Sequence, residues 1–326
     1  MKLYWLSIFA GIVLIEWSGV HAAGLSQYEV YAEPANIQLT NNGVVSTSDG
    51  TWVNDEGETL FQSRGKLPGN DGNESTLLFF VNLPQAAHGL PAGNTMVGPA
   101  LDVYLDEGKI NNQGEVAADF GESVFLWLPQ PAYGLPAGTT WLPTRWGWMS
   151  DINDSGQVLG YNWMGHPAPF IWSAVAANGL AAGMTNLTAL GNSMPMAMNN
   201  AGSVVAVSSA GKSLLYVPRT SAGLRAGSYS LALTANDIND SEVVVGTTSS
   251  GAALWSPSWG LVDLNSLIPI NSGWHLSTAT QINDLGQIIG TGTYDGQAMS
   301  FLLTVPEPGL FGVVIWAFPL AMRRSR

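Results

Sequence analysis

The stretch Ile152-Asn153-Asp154-Ser155-Gly156-Gln157-Val158-Leu159-Gly160, followed by the aromatic segment Phe170-Ile171-Trp172, decides the fold. Asparagine, aspartate and glycine tolerate a positive φ, and the first two hydrogen-bond their own backbone in turns. The apolar and β-branched residues that follow are typical of strands. The stretch therefore predicts a tight turn that leads into a strand, with a second, aromatic strand nearby.

The same pattern recurs along the chain. Further copies of the apolar-Asn-Asx-x-Gly turn occupy residues 110–114, 198–202 and 282–286, and 39–43 is a degenerate first copy. The copy at 238–242 has Glu242 in the place of glycine. A body built from one repeated unit is therefore predicted.

Two more markers give the length of the unit. A Gly-Leu-x-Ala-Gly loop recurs about every 45 residues, at 89–93, 134–138, 179–183 and 223–227, with a shortened copy at 260–261. Apolar triplets with aromatic character lie at 78–80, 125–127, 170–172, 214–216, 253–255 and 301–303. No window keeps the spacing of an amphipathic helix, and glycine or proline interrupts the chain repeatedly. The pattern predicts an all-β protein, a β-propeller of about six blades.

The ends of the body indicate how the ring would close. The last unit, 282–304, lacks its outer strand, and residues 28–32 at the other end have the alternation of the missing one. We therefore expect the N-terminal strand to complete the last blade, which removes an exposed sheet edge. The first unit has an insertion at 51–75, so five and seven blades are alternative counts. An open β-repeat array is the alternative architecture.

Both termini carry apolar stretches that stand outside the predicted domain at 24–304. Lys2, the apolar residues 3–15 and Ala22-Ala23 indicate a secretory signal peptide over 1–23. At the other end, the apolar residues 310–322 would reach about 20 Å as a helix, which is short of a bilayer core of about 30 Å. A transient rather than a permanent membrane anchor is predicted over 305–326.

The C-terminal segment resembles the PEP-CTERM sorting signal of exported bacterial proteins. The resemblance rests on a Pro-Glu-Pro motif, an apolar stretch and a basic end, which here are Pro306, Glu307, Pro308, Arg323, Arg324 and Arg326. It implies processing by a membrane-embedded exosortase and a location at the cell envelope or extracellular matrix of a Gram-negative-type bacterium. The body resembles HAF-type extracellular repeats over about 109–304 and more weakly over 36–108. This resemblance implies no catalytic residues.

Composition narrows the range of functions. The chain is 46% hydrophobic, 11% charged and carries a formal charge of -13, which disfavours nucleic acid as a partner. It has no cysteine, so its stability must come from a packed core rather than disulfides. We expect an exported monomer whose central domain is soluble.

One repeat turn has the beginning of a calcium loop. Asp151, Asn153 and Ser155 alternate as oxygen ligands do in such loops, and Asp237 with Asn239 is the next candidate. The alternative is a purely structural turn, because equivalent positions hold Lys109 and other non-ligands. Calcium is the one cofactor that the sequence suggests.

A group of aromatic residues breaks the repeat period. Trp127, Trp172 and Trp255 recur at that period and are predicted core, whereas a second set does not: Trp141, Arg145, Trp146, Trp148 and Trp163. Flat aromatic faces on loops suit the apolar faces of sugar rings. The sequence thus predicts a non-catalytic binding or structural protein associated with exopolysaccharide. A propeller-type glycan hydrolase or lyase is the alternative, and a calcium-stabilised scaffold without ligand is a third.

Overall fold

The described part of the chain is built mainly from short antiparallel strands. The computed structural model describes residues 30–33, 37–40, 43–46, 51–65, 76–101, 108–120 and 122–304. The predicted signal peptide and sorting signal lie outside these residues. Within the described ranges, no helix combines the length and apolarity needed to span a bilayer.

Five four-stranded sheets follow one another along the chain. The first contains β4 (Thr51–Val53), β5 (Thr59–Gly65), β6 (Thr76–Leu83) and β7 (Gly93–Leu101). The second contains β8 (Gly108–Ile110), β9 (Val116–Phe120), β10 (Ser123–Leu128) and β11 (Gly138–Trp141). The third contains β12 (Gly147–Ile152), β13 (Val158–Trp163), β14 (Pro167–Ser173) and β15 (Gly183–Asn186).

The fourth and fifth sheets repeat this order. The fourth contains β16 (Met194–Met198), β17 (Val204–Val207), β18 (Ser213–Val217) and β19 (Gly227–Leu231). The fifth contains β20 (Thr234–Ile238), β21 (Val244–Thr248), β22 (Gly251–Ser256) and β23 (Gly260–Asp263). Two short 3-10 helices, Thr188–Leu190 and Leu264–Ser266, lie in connections between sheets.

The sixth four-stranded sheet joins the two ends of the described chain. It contains β24 (Trp274–Ile282), β25 (Gln287–Tyr294), β26 (Gln297–Thr304) and, as its outer strand, β1 (Val30–Glu33). Val30 is paired with Leu303 and Glu33 with Ser300. The N-terminal strand therefore completes the last sheet, as predicted, and covers the edge of β26.

A two-stranded sheet lies between the last and the first four-stranded sheets. It consists of β2 (Ile37–Thr40) and β3 (Gly43–Ser46), joined at the degenerate turn copy 39–43. Strand β2 contacts β24 and β25 on one side and β4 on the other. The predicted insertion at 51–75 was wrong, because β4 and β5 of the first sheet begin there, around the turn Asn54-Asp55-Glu56-Gly57.

The hydrophobic core lies between neighbouring sheets. Leu126 of the second sheet packs with Val158 and Phe170 of the third, and all three are fully buried. Burial of such a side chain contributes about 1.5–3 kcal/mol. Trp127 and Trp172 are 8% and 7% exposed, which confirms that these periodic tryptophans belong to the core. Successive sheets that pack face to face around shared turns make the chain a β-propeller.

Each four-stranded sheet has two distinct ends. The first strand of each sheet ends at its Asn-Asx turn, and the six turns converge on one cavity. We call this end of the molecule the turn face. The opposite end, where β12 begins and where β13 turns into β14, carries Trp146, Trp163 and Met164 and is called the tryptophan face.

Candidate functional site

The turn face contains a polar cavity of about 200 Å³. It is lined by the same three positions of each of the six turns, an apolar residue, an asparagine and an Asp or Asn. The asparagines are Asn54, Asn111, Asn153, Asn199, Asn239 and Asn283, and the following residues are Asp55, Asn112, Asp154, Asn200, Asp240 and Asp284. The cavity is thus the mouth of the propeller axis.

The asparagines form an inner belt of hydrogen bonds. Oδ1 of Asn153 accepts from the N–H groups of Ser155 and Gln157, both at 3.1 Å, which closes its own turn. Its Nδ2 donates to the carbonyl of Asn199 in the next sheet at 3.2 Å. All six asparagines donate to the following sheet in this way, at 2.6–3.2 Å, and the last bond, from Asn283, reaches Thr40 of β2.

The following residue of each turn forms an outer belt. The backbone N–H of Asn112 donates to Oδ1 of Asp154 at 2.9 Å, and four other turns make the same contact with the next sheet at 2.7–2.9 Å. The Asn112 amide also donates to the carboxylates on both sides, Asp55 and Asp154. Over the first five turns, aspartate and asparagine alternate at this position, so an amide separates neighbouring carboxylates. Asp240 and Asp284 are adjacent without an amide between them.

A buried polar residue supports the turn in the first three sheets. Glu115, directly after Gly114, accepts from Asn111 at 2.8 Å and from the hydroxyl of Tyr133 at 3.3 Å. Burial raises the pKa of Glu115, and the hydrogen bonds from Asn111 and Tyr133 oppose that shift. Glu58 has an equivalent contact with His88 at 2.9 Å. Gln157 has one with Asn178 at 2.6 Å.

The glycines of the second, third and fourth turns each lie against a side chain of the preceding sheet. Gly156 has φ +66°, and a Cβ there would collide with the ring of Tyr133. His88 lies against Gly114 and Asn178 against Gly202 in the same way. These three side chains come from left-handed residues that precede the Gly-Leu loops, each with φ between 51° and 53°. Glycine is therefore required by contact as well as by φ.

The fifth turn inverts this arrangement. Glu242 replaces the glycine at φ +59° and is fully buried, while the preceding loop has Ala222 at the position of His88, Tyr133 and Asn178. The hydroxyl of Ser203 donates to Oε1 of Glu242 at 2.7 Å. Oε2 is buried without a hydrogen-bond partner. A large side chain on the turn thus takes the space that a loop side chain fills elsewhere.

Two aspartates accept hydrogen bonds from the first strands of neighbouring sheets. Asp151 accepts from the N–H groups of Ile152 and Met198, and Asp237 accepts from those of Ile238 and Ile282, all at 2.9 Å. Each carboxylate therefore links the first strand of its own sheet to the first strand of the next sheet. Burial raises the pKa of Asp237 to about 7, with a smaller contribution from Asp151, and Lys109 opposes the shift.

The residues predicted to bind calcium are engaged in these structural contacts. Oδ1 of Asn153 accepts two backbone N–H groups, and both carboxylate oxygens of Asp151 accept one each. Among the described residues, no group of three or more His, Asp or Glu side chains is arranged to hold a metal ion. Calcium binding at Asp151, Asn153 and Ser155 stays a prediction that this arrangement does not favour.

The comparisons with known proteins give neither a family nor an activity. No family model and no curated protein matches the chain. Among solved structures, the β-propeller domain of Cps50 (Swd1) from Myceliophteria thermophila is 11% identical, with 84% of this chain and 99% of that chain covered and a TM-score of 0.46. YCF48 bound to D1 peptide is 11% identical, with 89% and 100% covered and a TM-score of 0.43. A gluconolactonase from Xanthomonas campestris is 9% identical, with 88% and 99% covered and a TM-score of 0.38.

Four of the five predicted glycan-binding residues are exposed on the tryptophan face. Trp141, Trp146 and Trp163 are 46%, 53% and 43% exposed, and Arg145 is exposed beside them in sequence. The N–H of Trp163 donates to the carbonyl of Trp146 at 2.8 Å, which places the two residues side by side. Trp148 differs, because it is half-buried and stacks on Tyr161 with ring centroids 5.4 Å apart.

The backbone of Trp146 is unusual. Its φ is +50°, a region that bulky residues rarely enter. The strained conformation is held on both sides, since Asn162 accepts from the N–H of Arg145 at 3.0 Å and Gly147 donates to the carbonyl of Glu122 at 2.8 Å. Strain of this kind persists where the surroundings fix it, often at functional sites.

Proposed function

We propose that the chain is an exported cell-surface or extracellular-matrix propeller whose tryptophan face binds exopolysaccharide. The observation that carries the proposal is Trp146, a large apolar side chain that is exposed although its backbone is strained. Folding alone gains little from such a residue, because its ring is not buried. A ligand that covers the ring would provide the missing contact.

Neighbouring residues extend this surface. Trp163, whose backbone is hydrogen-bonded to that of Trp146, adds a second exposed indole, and Met164 adds a 69% exposed thioether side chain. Arg145 brings a planar cation that suits carboxylate or hydroxyl groups of an acidic polysaccharide. Aromatic faces for sugar rings and one cation for an anionic group are the chemistry of a polysaccharide surface.

The route to the exterior comes from the sequence signals. The predicted signal peptide at 1–23 and the resemblance of 305–326 to a PEP-CTERM tail support export, a transient membrane anchor and processing by an exosortase. We propose that the mature protein acts as a monomer at the cell envelope or in the extracellular matrix.

Retention on immobilised exopolysaccharides tests the binding proposal. We expect Trp146→Ala and Trp163→Ala each to weaken retention at least about tenfold, since buried aromatic contacts contribute about 2 kcal/mol or more at binding sites. Trp146→Tyr, which keeps a flat ring, should retain part of the affinity. Leu261→Ala is the matched control, because Leu261 is 45% exposed but lies at the start of β23, at the turn face. Equal retention by all variants contradicts the proposal.

The alternative of a glycan hydrolase or lyase has one observation in its favour. Four carboxylates, those of Asp55, Asp154, Asp240 and Asp284, line the cavity at the turn face. Released sugars are therefore measured in the same wells. Release that Asp240→Asn abolishes would favour catalysis at the cavity, whereas retention without release supports binding.

A further inference from the structure

The two ends of the described chain leave the propeller side by side on the turn face. Thr304, the last residue of β26, is paired with Gln287, which directly follows the turn at 283–286. Val30, the first residue of β1, is paired with Leu303. The segments that precede Val30 and follow Thr304 therefore start from neighbouring strands at the same end of one sheet.

The tryptophan face lies at the other end of the strands. In the third sheet, Trp163 is paired with Pro167 at the end remote from the turn, and Trp146 precedes the first residue of β12. Strand β26 has eight residues, which at about 3.3 Å each separate the two faces by about 26 Å.

Few residues separate the turn face from the apolar stretch of the C-terminal segment. Only residues 305–309 separate Thr304 from Leu310. A fully extended chain over that interval spans at most about 20 Å. This reach is shorter than the distance of about 26 Å between the two faces. An apolar segment inserted in a bilayer would therefore hold the turn face towards that bilayer.

We propose that the anchored protein holds its turn face towards a lipid bilayer and presents its tryptophan face away from the membrane. The inference rests on the proposed export and tail anchoring, and it adds an orientation that the proposed function leaves open. Asp240 is exposed at the turn face. Its negative charge, with that of Asp284, disfavours flat contact with anionic lipids, so the short tether sets the distance.

The absence of cysteine from the chain makes the orientation measurable. Leu285→Cys, at a site 56% exposed in the last turn, puts a donor fluorophore on the turn face. Met164→Cys, at a site 69% exposed, puts the same donor on the tryptophan face. Each labelled chain, without the predicted signal peptide 1–23 so that the apolar residues 3–15 cannot insert, is mixed with phosphatidylcholine vesicles that contain a headgroup-labelled acceptor lipid.

We expect energy transfer from position 285 to exceed that from position 164 by at least about twofold, because about 26 Å separates the faces. The double variant Ile315→Asp/Phe318→Asp, which interrupts the apolar stretch, should abolish transfer from both positions. Equal or reversed transfer overturns the orientation, and so does a labelled chain that does not associate with the vesicles. Trp146→Ala should leave both transfer values unchanged, so loss of glycan binding and loss of orientation are separate results.

Discussion

Replacing Asn199 by alanine tests whether the inner belt holds the sheets together. The Asn199 side chain is 4% exposed and makes three hydrogen bonds. Oδ1 accepts from Ala201 at 3.1 Å and Ser203 at 2.9 Å, and Nδ2 donates to the Asn239 carbonyl at 2.9 Å. Each bond contributes about 1 kcal/mol, so we expect the free energy of unfolding to fall by about 3 kcal/mol.

Urea unfolding followed by tryptophan fluorescence measures this change. Asn192→Ala is the matched control, because Asn192 is exposed near the same sheet and such substitutions change stability by less than about 0.5 kcal/mol. Asn199→Asp keeps the acceptor of the turn and removes the donor to Asn239, so it isolates the bond between sheets. A loss in Asn199→Ala no larger than in the control would refute the role of the belt.

Two further predictions concern the turn face. Ala222→Tyr should destabilise the fold, because the new ring competes for space with buried Glu242. Adding Glu242→Gly should recover about 1–3 kcal/mol of the free energy of unfolding. The double variant would have a ring over a glycine, as Tyr133 lies over Gly156. A double-mutant cycle on unfolding free energies measures the coupling, and simple additivity would contradict it. Asp237 has a pKa of about 7 in the folded protein against an ordinary 3.8, so the folded state keeps a proton that the unfolded state releases between these values. Stability from this group should therefore fall as pH rises from about 4 to about 7. The melting temperature of Asp237→Asn should fall less over that range, and parallel curves for the two proteins would count against the shift.

The repeated motifs predicted the architecture because each motif performs a local task. The Asn-Asx-x-Gly copies are turns, the triplets around Phe125 and Phe170 are buried strands, and the missing outer strand of the last sheet is β1. The predicted insertion at 51–75 was wrong because the interval from Asn54 to Asn111 is 57 residues, longer than the other intervals between turns. The motif Val53-Asn54-Asp55-Glu56-Gly57 was nevertheless present in the sequence.

The contacts between sheets could not be read from one turn alone. Oδ1 of Asn153 acts within its turn, as turn chemistry predicts, but Nδ2 acts on Asn199 of the next sheet. The signal was available in the comparison of copies, since a turn needs asparagine no more than aspartate, whereas a donor to the next carbonyl requires the amide. Trp148 and Trp146 also look alike in sequence, and only the pairing of Trp148 with Tyr161 distinguishes the stacked side chain from the exposed one.

The pairing of β1 with β26 also orders the events of biosynthesis. Strand β1 is synthesised before β26, and it can pair only after β26 has been made. The paired residues Val30 and Leu303 are 273 positions apart in the chain. Contacts of such long range slow folding, and this one cannot form until β26 has been synthesised. A prematurely terminated product would lack the partner of β1, and its unfinished last sheet would be open to proteases. The pairing of β1 with β26 thus makes the last sheet complete only when both strands are present.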